Sequence, residues 1–208
     1  MEITIDDGTK LIKFARENLT QYLTTGKTME IPPDLRERFG EKGGAFVTLN
    51  KLAGSDTDLR GCIGIILPMY PLIETVQQMS VASAVEDPRF PAVKKEELSK
   101  ILIEISVLSV PKRLDVKDPK EYFDKIKIGR DGLIISRGGR KGLLLPQVPI
   151  EHGRAWSVEE FLEHTCQKAW LPPEAWKDVK NTIVDSFSAT IFEEESPGGA
   201  VIQKEIGQ

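Results

Sequence analysis

Cysteine and histidine are both scarce in these 208 residues: the chain has only Cys62, Cys166, His152 and His164. Two cysteines make no disulfide framework and point to a reducing compartment. Long apolar runs are missing as well. The longest purely apolar run is about five residues, against the ~20 a helix needs to cross a bilayer. The opening Met-Glu-Ile-Thr-Ile-Asp-Asp has neither the basic nor the apolar region of a signal peptide, so a cytoplasmic protein with no membrane partner is expected. An excess of basic charge is absent too, since the formal net charge is −4. Nucleic-acid binders must neutralise phosphates, so the composition argues against nucleic acid as a partner. The one local cluster, Arg130, Arg137, Arg140 and Lys141, falls in a hairpin-like stretch and reads as solvated turn charge.

Several motifs are lacking. There is no Cys-x-x-Cys and no His-Glu-x-x-His spacing. Gly138-Gly139-Arg140-Lys141-Gly142 lacks the phosphate-loop pattern, and no dinucleotide fingerprint follows a strand. No metal and no cofactor are expected.

What is present is enough apolar residue for a core, 40% of the chain, with 29% charged. This is not the composition of a disordered protein. Leu11, Phe14, Ala15, Leu19 and Tyr22 or Leu23 recur at helical spacing over 9–24, with Gly26 as a stop. Residues 27–44 are a polar connection, long enough that part of it should be ordered. Strands at 45–49 and 59–67 flank a turn cluster at 54–58 and read as a hairpin. Pro68 ends it, and Pro71 suits the first turn of a helix running to Val85. Residues 101–110 form the clearest strand. A short helix is expected near 119–125, two strands at 132–136 and 142–145, and a helix from the Ser157–Glu160 capping box to about Trp170. Ser188–Phe192 reads as a last strand and 196–208 as a tail or edge element. The class is α+β, organised as one domain over 1–208.

The segment richest in chemistry is Leu59-Arg60-Gly61-Cys62-Ile63-Gly64. Glycines let a backbone turn sharply or approach a ligand. Arg60 and Cys62 share a face on a regular strand, and a guanidinium beside a thiol favours the reactive thiolate. The competing reading is a buried cysteine acting as a small hydrophobe in a tightly packed strand. A cysteine nucleophile usually needs a base. His164 sits to the side of the apolar face of its helix and is expected at the surface, while His152 lies in a loop. Glu104 is the better candidate, since its strand face carries Leu102 and Leu108. A part-buried carboxylate needs a partner, for which Arg60 and Arg89 are available, or acts as a base. The stiff Asp87-Pro88-Arg89-Phe90-Pro91 and the loop with Pro146, Gln147 and Trp156 complete the set. Cys62 and Glu104 are thus catalytic candidates. Arg60, Gly61, Gly64, Asp87, Arg89, Gln147 and Trp156 are substrate-binding candidates.

Taken in order, Gly44–Leu49, Leu59–Gly64, Asp87–Pro91, Glu104–Leu108, Leu144–Val148, Trp156 and Phe161–Cys166 resemble an archaeal-type member of the AMMECR family. The likeness spans about residues 8–195. One departure is Lys168-Ala169-Trp170-Leu171, where the family usually has Lys-Ala-Gly-Leu. This puts the helix end and its local packing in question. The resemblance implies two unequal, intimate lobes, an antiparallel-rich mixed sheet flanked by helices, and the signature near a cleft between the lobes. It also implies company with Memo-like and radical SAM proteins, and so an enzyme or enzyme component acting on a small or modified substrate. The alternative is a protein- or RNA-binding module in which the signature is structural.

Overall fold

The first helix shows how the apolar spacing is spent. In the computed structural model, which describes residues 3–54, 56–150 and 156–204, α1 runs Ile5–Thr25. Thr4 caps it: its hydroxyl accepts from the Asp7 N–H, and the Asp7 carboxylate accepts from the Thr4 N–H. This reciprocal box is stronger than the start read from periodicity alone. Leu11, Phe14, Ala15 and Leu19 are all buried, and Gly26 forms the C-cap.

The chain forms two compact units, Met1–Leu108 with Thr190–Lys204, and Ser109–Ala189. The first holds α1, α2 (Pro33–Arg38), β1 (Gly44–Ala53), β2 (Asp56–Ile65), α3 (Leu72–Val85) and β3 (Ile101–Leu108). Here α2 is the ordered part expected within 27–44. β1 lies between β2 and β3, antiparallel to both. Ala45, Val47 and Leu49 point to one face and are fully buried, on the side where α3 packs. Phe46, Thr48 and Asn50 point to the other and are half-buried. The helices are tied by Asn18, which is fully buried. It donates to the Gln77 carbonyl and the Ser80 hydroxyl and accepts from the Met29 N–H. A buried amide this well satisfied costs little and locks one register.

The second unit holds β4 (Lys112–Arg113), α4 (Tyr122–Lys125), β5 (Asp131–Arg137), β6 (Arg140–Leu144) and α5 (Val158–Lys168). The β5–β6 hairpin turns through Gly138 and Gly139 at φ of 57° and 81°, the conformation two-residue hairpins require. Ser157 caps α5 through the expected box with Glu160. Phe161, Leu162 and Cys166 from α5 pack with Leu133, Ile135, Val184 and Trp176.

The last long strand, β7 (Ile183–Glu194), exceeds the expected 188–192. Its residues 183–189 belong to the second unit, where Asp131–Ser136 of β5 pair with it. Its residues 190–194 belong to the first, where β8 (Val201–Lys204) pairs with it. The pairings of β1 with β2 and β3, of β5 with β6, and of β4, β5 and β8 with β7 are all antiparallel, and the class is α+β as expected. No helix among the described residues is long and apolar enough to cross a membrane.

Candidate functional site

Three strands of the first unit set the geometry. Thr48 on β1 lies opposite Cys62 on β2 and opposite Glu104 on β3. Directly opposed residues project to the same face, so thiol, hydroxyl and carboxylate form one row on the sheet face away from α3. The Thr48 hydroxyl donates to the Cys62 Sγ at 3.3 Å. Glu104 is buried and paired with Lys204 Nζ at 3.0 Å, which also reaches Glu193 at 3.1 Å. Burial works against the Lys204 charge, but the two carboxylates prevail and raise its pKa.

Asp87 supports the row from the end of α3. Its carboxylate accepts from the Cys62 N–H at 2.9 Å and from Arg89 Nη2 at 2.7 Å. The Arg89 guanidinium holds this carboxyl far below the usual range despite burial. Arg89 itself is largely exposed, with Nη2 3.5 Å from the Cys62 carbonyl. Burial pushes the Cys62 thiol up from its ordinary value, and the Thr48 hydrogen bond and the Arg89 charge only partly offset this. The resting thiol is therefore neutral.

Arg60 behaves differently from the expectation. Asn50 opposes Leu59 while Leu49 opposes Gly61, so Arg60 is the extra residue of a β-bulge. A bulge breaks the alternation on which a shared face depends. Arg60 is buried and bound at Nε and Nη2 to both Glu97 oxygens, each at 3.1 Å. Lys51 Nζ binds the same carboxylate. Arg60 foremost, then the Lys94 N–H and Lys51, bring the Glu97 pKa down to about 2. The cation acting on the thiol is Arg89, and the cation paired with Glu104 is Lys204. Neither role falls to Arg60.

The two signature glycines have packing roles. A β-carbon on Gly61 would stand 1.9 Å from the Ser83 carbonyl oxygen of α3, and one on Gly64 would stand 2.3 Å from the Phe46 ring. Helix and strand meet backbone to backbone at Gly61.

Gln147 and Trp156 fall in the second unit. The Gln147 Oε1 is buried without a hydrogen-bond partner. Trp156 stacks on His164 with ring centroids 4.2 Å apart, so His164 is half-buried and not the surface residue expected. His152 lies outside the described residues. Of the hairpin cations, Arg130 pairs with Asp131 and Arg137 with Asp178, which leaves little of a basic patch. No group of three or more metal-ligating side chains occurs among the described residues. Sequence reading missed Thr48 and Lys204. Thr48 was visible as the middle of a strand in a hairpin with Cys62, whereas Lys204 carried no local signal.

This antiparallel α+β architecture defines a class shared with solved and curated archaeal proteins. The crystal structure of protein PH0010 from Pyrococcus horikoshii matches with a TM-score of 0.87 and 47% identity, covering 99% of this chain and 100% of that one. A relative from Pyrococcus abyssi is 50% identical over 200 residues, 96% of each chain. One from Methanocaldococcus jannaschii is 47% identical over 204 residues, 98% of each. The AMMECR1 family profile matches residues 12–192, and the chain belongs to that family.

Proposed function

We propose that the Cys62–Thr48–Glu104 row, with Arg89 at its edge, is the working site of an enzyme or enzyme component that takes a small or modified substrate. The observation that carries this reading is the three-strand register, which lines up a thiol, a hydroxyl and a carboxylate beside an exposed guanidinium. Arg60, Gly61, Gly64 and Asp87 build the site; Cys62, Arg89 and Glu104 are left to meet a ligand. Because the thiol rests neutral, attack by sulfur requires removal of its proton. Glu104 lies on the same face one strand beyond Thr48, so in this reading the proton passes to it through the Thr48 hydroxyl, once the ion pair with Lys204 opens. Gln147 and Trp156 lie in the second unit and take no part in this reading.

The test combines thiol labelling with a broad metabolite-binding screen on the native protein and on Cys62→Ala. Labelling of Cys62, protection by a bound metabolite, and loss of that binding in a folded Cys62→Ala support the reading. An inert Cys62 together with unchanged binding in Cys62→Ala overturns it.

The close packing at Gly61 and Gly64 favours a second reading, a protein- or RNA-binding module in which the signature is structural. It predicts that Cys62→Ala costs about 1–3 kcal/mol of stability and leaves partner capture intact. Co-purification with Memo-like or radical SAM proteins tests the partnership the resemblance implies, and cell fractionation tests a cytoplasmic location.

A further inference from the structure

The packing of the second unit does not account for the end of α5. The Leu171 N–H donates to the Cys166 carbonyl at 3.0 Å, and the Trp170 N–H to the Gln167 carbonyl at 2.9 Å. These two bonds make a Schellman cap, which places its outer residue in the left-handed region, usually as glycine. Here that residue is Trp170, at φ 56°. A β-carbon is strained in this conformation. Burial offers no compensation, since Trp170 is 85% exposed, the most exposed large apolar side chain among the described residues. Strain of this kind, held without a packing reward, points toward function.

The indole borders a pocket of about 600 Å³ within the second unit, a size typical of small-molecule sites. Leu144 and Val148 line it with the stacked rings of Trp156 and His164. Lys168 lines it too, and no ion pair engages its ammonium among the described residues. No carboxylate appears in the described lining. Flat π-surfaces with one unneutralised cation match a flat ligand of negative charge. The Arg140 Nη1 donates to the Trp170 carbonyl at 2.6 Å, which pins the backbone that carries the indole.

We infer that this pocket binds a planar heteroaromatic ring bearing an acidic group, a mononucleotide in its simplest biological form. The ring stacks on Trp170 and the anion meets Lys168. The inference does not rest on the Cys62 reading, and its test is scored in the second unit alone.

Calorimetric titration of the full chain with AMP, CMP, GMP and UMP, and with adenosine and ribose 5-phosphate, decides it. At least one mononucleotide should bind saturably, its nucleoside more weakly and the sugar phosphate least. Trp170→Gly should weaken nucleotide binding about tenfold, the scale of one lost stacking contact. This variant relieves a strained backbone, so a thermal melt should show it at least as stable as the parent. Lys168→Gln should erase the preference for AMP over adenosine while leaving adenosine binding unchanged. The inference is overturned if no mononucleotide binds at millimolar concentration. It is equally overturned if ribose 5-phosphate binds as well as AMP, or if Trp170→Gly binds as the parent does.

Discussion

Gly61 on β2 and Trp170 beyond α5 invert each other. At Gly61 the neighbouring helix leaves no room for a β-carbon, so the smallest residue is a packing necessity. At Trp170 the backbone is in glycine's conformation and the largest residue occupies it in the open. The glycine that looks functional in the sequence is explained by structure. The tryptophan that looks like an irregularity is not. Residues that packing explains are poor guides to chemistry, and a residue that packing does not explain is a better one.

The largest test of this contrast is Gly61→Ala. The new methyl would strike a backbone oxygen that cannot move without shifting α3, so a loss of about 3 kcal/mol is expected in urea unfolding. A near-neutral result would mean that helix and strand are not locked there. Glu97→Gln comes next. It leaves the buried Arg60 short of a charged acceptor and should cost about 2 kcal/mol. The same pair titrates. The folded Glu97 pKa is about 2 against an ordinary 4.5. Its contribution is therefore full above the ordinary value and fades as pH falls toward 2. Asp7, lowered to about 2 by Arg38, fades in the same direction. An acid titration followed by circular dichroism should show stability dropping across this window, with a smaller drop in Glu97→Gln.

Trp170→Gly should change stability with the opposite sign, a gain of about 1 kcal/mol from relieved left-handed strain. A loss instead would show that the indole packs after all. The smallest effect separates the two cysteines. Burial pushes Cys166 up to about 11 and seals it, whereas Cys62 is half-buried. Iodoacetamide at mildly alkaline pH should modify Cys62 slowly and leave Cys166 untouched until the protein unfolds.

The helices were legible because their ends are local. The Ser157–Glu160 box, Gly26 and Pro71 each act within one turn of chain. β1, β2, β3, β5 and β6 were legible from alternation and turn residues. What could not be read depends on distant partners. Ile191–Glu194 is held by β8 and Ile183–Ser188 by β5, so the full length of β7 is decided by pairing and not by its own pattern. Asp56–Asp58 look like turn residues, yet the ladder with β1 continues through them. The Arg60 bulge is one unpaired residue, and nothing in the alternation announces it. Glu104 was read as part-buried, with Arg60 or Arg89 as its partner or a role as a base, whereas a cation from elsewhere pairs with it. That cation, Lys204, lies 100 positions away, in a stretch read only as a tail or edge.

The division of β7 has a consequence for synthesis. The first unit is discontinuous: its opening 108 residues wait for Thr190–Lys204. Arg16 of α1 is paired with Glu194, whose carboxylate also accepts from the Ile103 N–H. A ribosome making this chain synthesises every residue of Ser109–Ala189 before the closing strand of the first unit. The second unit is therefore the first whose residues are all in hand, while Met1–Leu108 is made without the strand that completes its unit.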